Sequence, residues 1–258
     1  MNPPALPPYS RAAMMLRALR LILVFPPLWA SAQDKPALHT MRILPLGDPP
    51  PFRQEVRNGV RYEIPAAEGT IPPRNLEIAI PPKEKAGEPT SMKLRLRLGM
   101  ISEPLEFPLP ETRSIEARQG SGTWAKLPLS SSEATLVLVW RSGPDWNKVG
   151  VLPIPDGKAD RSQGDCRFIN VTSKPMGLVF GSERLKIEPR TALMRTLPAG
   201  TQEITASILY PAADGSLQPC LSTKIMKSAE KLQQFIIHAA DGEKPRIPVK
   251  VLPLEEPR

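Results

Sequence analysis

The chain has 258 residues with 34 Lys+Arg against 26 Asp+Glu, and its formal charge of +8 is spread along the sequence. That spread differs from the concentrated basic stripe of a nucleic-acid binder. Its 33 prolines sit between apolar runs, which excludes a helical protein and wholesale disorder together, because proline ends helices and is confined to strand starts, edges and turns.

Residues 1–32 read as a secretory signal peptide. Arg11, Arg17 and Arg20 precede an apolar core from Leu21 to Trp29, and Ala30-Ser31-Ala32 forms a small-x-small cleavage site before Gln33. The apolar core is about ten residues, half of what a bilayer needs. It contains Pro26-Pro27, so no integral membrane span is expected after cleavage. Met14 and Met15 are alternative starts. Loss of the three arginines takes the 34 basic residues to 31 against 26 acidic, a balance of +5. The expected location is periplasmic or extracellular, where nucleic acid is a poor partner. There an even cysteine pair reads as a disulfide, so Cys166 and Cys220 are expected to be bonded. A loop of roughly 55 residues closed this way is worth about 4 kcal/mol.

Residues 33–52, with Pro45 and Pro49-Pro50-Pro51, read as an extended leader. A first domain is expected over 53–155. It opens with a hairpin from Gln54 to Ile64, because Asn58-Gly59 favours a type I′ turn between Val56-Arg57 and Val60-Arg61. Leu76–Ile80 is a short strand, and 83–91 a polar loop. From Met92 to Leu98 apolar and basic residues alternate, a period that a strand buries on one face and a helix cannot. Lys93, Arg95 and Arg97 then point outward, either as a cationic strip for an anionic glycan or as charges that protect a sheet edge. Ala134–Arg141 is near-continuously apolar, the mark of a strand buried on both faces. Lys148–Leu152 returns beside it, after the turn at Ser142-Gly143-Pro144-Asp145.

Residues 156–165 are polar and glycine-containing, and are expected to link the first domain to a second over 166–254. Strands follow at Cys166–Val171, Gly177–Phe180, Leu185–Ile187, Leu193–Thr196, Gln202–Leu209, Leu217–Met226, Gln233–Ala239 and Arg246–Leu252. Turn signals at Pro198-Ala199-Gly200, Ala213-Asp214-Gly215 and Asp241-Gly242 separate several of them. The expected fold is all-β: two antiparallel β-sandwich, Ig-like domains in tandem after the signal peptide.

The segment Phe168–Gly181 (FINVTSKPMGLVFG), with Leu185–Pro189, Leu197-Pro198-Ala199-Gly200 and the Ile204–Leu209 strand, resembles small β-sandwich domains in exported bacterial proteins of unknown function. Those are of the kind found in Verrucomicrobia-like and Planctomycetes-like organisms, where an R-F-x-N-x-S/T strand precedes a short strand ending in glycine. The resemblance covers roughly residues 134–254, and Arg246–Val251 matches its closing strand in character. It implies fold and export and names no active site.

No catalytic, metal or cofactor motif is present. The two histidines, His39 and His238, have no nucleophile elbow beside them, and G-x-S-x-G, H-E-x-x-H and C-x-x-C are absent. Asp145, Asp156, Asp160, Asp165 and Asp214 are the carboxylates on turns, and each has a sufficient turn explanation. Trp146, beside Pro144-Asp145, is the aromatic with the best prospect of an exposed sugar-stacking face; with Lys93, Arg95 and Arg97 it makes the candidate ligand surface. The sequence therefore points to an exported, non-catalytic β-sandwich protein that binds or scaffolds an envelope protein or glycan, with no cofactor. A carbohydrate-binding module and a hydrolase using turn carboxylates are the alternatives.

Overall fold

The computed structural model describes residues 38–80, 90–241 and 245–258, all within one compact unit spanning Pro36–Arg258. The expected signal peptide, residues 33–37 of the leader, most of the 83–91 loop and Gly242 of the last turn lie outside the described residues. Among those described no helix is long and apolar enough to cross a membrane.

The described chain is nearly all β. Its first half contains β1 (Leu38–Leu46), β2 (Arg53–Arg57), β3 (Val60–Ile64), β4 (Asn75–Ile80), β5 (Thr90–Arg95), β6 (Leu105–Pro108), β7 (Ser114–Gln119), β8 (Gly122–Pro128), β9 (Ala134–Arg141) and β10 (Val149–Pro155). A single helical turn, α1 (Lys158–Arg161), follows. The second half contains β11 (Cys166–Asn170), β12 (Met176–Phe180), β13 (Glu183–Ile187), β14 (Thr191–Arg195), β15 (Glu203–Pro211), β16 (Leu217–Met226), β17 (Lys231–Ala239) and β18 (Val249–Pro257).

The two halves share one topology. Sheets of order β10-β9-β1-β6 and β5-β4-β7-β8 in the first half correspond, strand for strand, to β18-β17-β11-β14 and β13-β12-β15-β16 in the second. The hairpin β2–β3 is an insertion in the first half, a two-stranded sheet of its own. The closing strands carry a sequence echo: Val149, Val151, Leu152, Pro153 and Ile154 stand where Val249, Val251, Leu252, Pro253 and Leu254 stand in β18. The pairing registers extend this equivalence inward. Ile154–Leu136–Arg42 form one cross-strand row and Leu254–Gln234–Arg167 the other.

Each half departs once from the expected antiparallel order: β1 runs parallel to β9, and β11 parallel to β17. A parallel pair needs a long crossover, and here the strands of the opposite sheet supply it. The opening strand therefore reaches a central slot with no tight turn dictating its direction.

Three apolar clusters separate the four larger sheets. Met41, Ile43, Val137 and Val139 join Leu76, Ile78, Leu94, Ile115 and Leu127 in the first. Phe168, Phe235 and Ile237 join Leu178, Phe180, Ala206 and Ile208 in the second. The third lies between the halves and is built from equivalent positions: Leu44, Leu46, Leu138, Leu152 and Ile154 on one side, Ile169, Val171, Ile236, Leu252 and Leu254 on the other. Strands β1, β9, β11 and β17 are thus buried on both faces. This explains the unbroken apolar run of Ala134–Arg141, while β4 and β5 alternate because only one face is covered. Gly150 is dictated by packing, since a Cβ there would lie 2.2 Å from the Trp140 ring across the strand pair.

One expectation is corrected. Residues 38–46, read as part of an extended leader, form β1, a central strand; its prolines read as breakers. Pro45 lacks an N–H, yet its carbonyl still accepts from Gly99 N–H (2.8 Å). Residues 156–165 run from β10 to β11 through α1, and both their end aspartates, Asp156 and Asp165, are buried.

Leu138→Ala is expected to cost about 2–5 kcal/mol. It should lower one urea transition in which both halves melt together; separate transitions for the halves would contradict the common apolar layer.

Candidate functional site

Lys93, Arg95 and Arg97 are exposed, as expected, but they do not form an isolated cationic strip. β5 ends at Arg95, and Arg97 lies beyond it in a bridge to Met100. On the same face Glu77 stands opposite both Lys93 and Arg118, and Arg118 bonds Glu116 (3.0 Å). Lys93 and Arg95 sit on the edge strand, where lysine and arginine deter pairing with other strands, and the inner strands β4 and β7 set Glu77 and Glu116 beside them on the sheet. Trp146 is corrected: it is 4% exposed in the first apolar cluster. Its backbone N–H donates to Gly69 O (3.0 Å), and its backbone carbonyl accepts from Trp124 Nε1 (2.7 Å). A ring packed in that way has no face for a sugar.

The expected disulfide is also corrected. Cys166 and Cys220 are both free. Cys166 lies on β11, whose neighbours are β14 and β17, whereas Cys220 is on β16 at the edge of the opposite sheet. Cys220 is the extra residue of a bulge, since Ile208 pairs with Leu221 and Leu209 with Pro219. Each thiol reaches a local carbonyl, Arg195 O from Cys166 (3.7 Å) and Ile208 O from Cys220 (3.3 Å). Burial pushes the Cys166 thiol up to about 12 and raises Cys220 as well, so neither is activated as a nucleophile.

The equivalent arginines Arg42 and Arg167 meet where the halves join. Asp156 accepts from Arg42 Nη2 (2.5 Å), Arg161 Nε (3.1 Å) and Nη2 (2.8 Å), and Arg167 Nη2 (3.0 Å). Glu256, the counterpart of Asp156, accepts from Arg42 and from Gln234 Nε2 (2.6 Å). Burial works to raise the Asp156 pKa, but the hydrogen bonds and charges of Arg161 and Arg42 outweigh it and hold the carboxyl below its ordinary value. A cavity of about 210 Å³ opens beside this cluster, but Arg42 and Arg161 turn their guanidinium groups to carboxylates. At the opposite end of β18, Asp48 and Asp241 accept each other's backbone N–H (3.0 and 2.8 Å), flanked by Lys250 and Arg141. Both polar groups tie one half to the other.

The remaining turn carboxylates have local work. Asp145 and Asp214 accept the N–H two residues on, from Asn147 and Ser216 (both 2.9 Å). Asp160 accepts from Gly157 N (3.0 Å), and Asp165 from Leu197 N (2.7 Å). His39 bonds Thr135 Oγ1 (2.9 Å) and His238 the Ala239 carbonyl (2.9 Å), and burial lowers the pKa of both. Asn170, at the end of β11, is fully buried and donates to Lys174 O (2.8 Å) while Thr172 donates to it (2.8 Å). It pins a turn.

The hairpin β2–β3 differs from everything above. Asn58 (φ 51°) and Gly59 (φ 77°) make the tight left-handed turn the sequence called for. Val56 (66% exposed), Val60 (53%), Tyr62 (48%) and Ile64 (39%) remain open to solvent, as does the preceding Phe52 (68%). Val60, Tyr62 and Ile64 share one face, with Arg57 above the Tyr62 ring (6.0 Å). A two-stranded hairpin with no packed face is marginal in water, so this element is a candidate docking surface. Sequence reasoning found the hairpin but not its isolation; five apolar side chains between Phe52 and Ile64 were the available signal.

No protein-family model matches the chain, and none of the curated proteins matches it.

Two outcomes are expected. Asp156→Asn should cost about 3–5 kcal/mol at pH 7, because three arginines lose their buried counter-charge. The folded Asp156 pKa lies below the ordinary 3.8, so its stabilisation is complete above that value and is lost as pH falls through the folded pKa. Urea titrations from pH 7 to 2 should therefore show a shallower acid slope in the variant. Unfolding without reductant should expose two reactive thiols per chain, with Cys220 reacting before Cys166 in the native protein; finding none would restore the disulfide.

Proposed function

We propose that the protein is an exported, non-catalytic pair of Ig-like β-sandwich domains that binds or scaffolds a component of the cell envelope, and that the β2–β3 hairpin is its docking element. The observation that carries this reading is the exposure of Val56, Val60, Tyr62 and Ile64 on a two-stranded sheet that packs on nothing else among the described residues. A sheet with free edges and alternate apolar side chains suits another protein strand, which takes main-chain hydrogen bonds from the edge and side-chain contacts from the face. Protein is therefore favoured over glycan. The charged groups elsewhere support a binding role: Asp156, Asp165, His39 and His238 are engaged by structural partners. Export rests on Arg11 to Ala32 and predicts a mature N-terminus at Gln33.

The test is in-cell photocrosslinking from position 62 of the tagged full-length chain. One defined envelope protein, which includes another copy of this chain, should be captured. That product should vanish when residues 53–64 are replaced by a short Gly-Ser link, with thermal unfolding of the body unchanged. Absence of any product above background, or a product indifferent to the replacement, would remove the hairpin reading.

A further inference from the structure

We propose, building on the hairpin's docking role, that its occupant is a second copy of this chain, joined edge to edge through β3. Arg57 and Val60 flank the two-residue turn and form its closing pair, so Val60, Tyr62 and Ile64 direct their backbone groups to β2. Arg61 and Glu63 then direct theirs outward, to an edge that no strand occupies among the described residues.

The sequence of β3, Val60-Arg61-Tyr62-Glu63-Ile64, is self-complementary about Tyr62. Antiparallel pairing with a second β3 sets Arg61 opposite Glu63 of the second copy, and Glu63 opposite its Arg61. Val60 meets Ile64 at both ends, and the two Tyr62 rings meet at the two-fold axis. The backbone phase agrees, because the outward N–H and C=O groups belong to Arg61 and Glu63, the residues that become the hydrogen-bonded pairs. All six apolar side chains then line one face of a continuous β2-β3-β3-β2 sheet. Opposite charges and aromatic pairs directly across strands stabilise such pairing, and like charges oppose it.

The other edge cannot do this. β2 reads Arg53-Gln54-Glu55-Val56-Arg57, and pairing it with itself sets Glu55 against Glu55 and Arg53 against Arg57. β5, another edge strand, presents Lys93 and Arg95. The self-complementary edge is therefore β3, and its two-fold contact closes after one partner. Pro65 follows Ile64 and confines the overlap to five residues, so the contact is smaller than a standard interface and its affinity is modest.

Sedimentation velocity of the signal-processed chain, from micromolar to millimolar concentration, tests this. A concentration-dependent dimer is expected. Glu63→Arg, or Arg61→Glu, should each weaken self-association by about tenfold or more, as attraction becomes repulsion at two pairs. The double variant Arg61→Glu/Glu63→Arg should restore it, and an equimolar mixture of the two single variants should pair better than either alone. Unaltered thermal unfolding shows that the body stays folded, since these side chains are exposed. A monomer at every concentration, or a dimer indifferent to the charge variants, overturns the proposal. Capture of a different envelope protein by a chain that stays monomeric also overturns it, while leaving the hairpin's docking role standing.

Discussion

Everything else in the structure depends on one shared layer: the apolar contact between the β10-β9-β1-β6 sheet and the β18-β17-β11-β14 sheet. It is built from equivalent residues in two halves of one topology, Leu44 with Ile169, Leu138 with Ile236 and Leu152 with Leu252. Burial of such side chains on both sides of four central strands is a non-directional attraction and does not by itself choose a register. The choice falls to the polar ends of the layer. Asp156, with its side chain 2% exposed, is paired with Arg42, Arg161 and Arg167, which come from three separate elements. Removing one partner of such a buried group is strongly destabilising, which disfavours arrangements that separate Asp156 from its arginines. The reciprocal Asp48–Asp241 backbone bonds repeat the constraint at the other end.

That layer has consequences for chemistry. The groups able to act as acid, base or nucleophile in a looser protein are held here by structural partners: the histidines by Thr135 and a carbonyl, the cysteines by burial and local carbonyls, the aspartates by arginines and backbone N–H groups. The same economy extends to Asn170, whose amide joins a strand end to the turn that follows it. The hairpin is the contrast, with apolar residues alternating along β3 and exposed among the described residues.

Much of this was legible from residue order. The alternation from Met92 to Leu98, the unbroken run Ala134–Arg141 and the Asn58-Gly59 turn each report a local period or a local backbone requirement; the second and third form as read, and the first forms a strand as far as Arg95. The opening strand was not legible, because Pro45 and the Pro49–Pro51 run signal a break, and only neighbours on both sides make Leu38–Leu46 a strand. Trp146 misled for a related reason: a tryptophan in a turn reads as exposed, but this turn folds inward to Gly69 and Trp124. The cysteine pairing failed on strand order, since the late strand beside β11 is β17 and not β16.

The amino-acid sequence alone determined the class of structure and the hairpin, because proline spacing, period-two patterning and turn chemistry act over a few residues and need no distant partner. Only the tertiary structure decided that the two halves repeat one topology, that they share an apolar layer closed by Asp156, and that the hairpin stands apart from it. Those facts depend on which residues far apart in the chain become neighbours, and no local pattern carries that information. The edge of β3 lies between the two: its charge order is written in five residues, but that no other described strand pairs with it is a property of the fold.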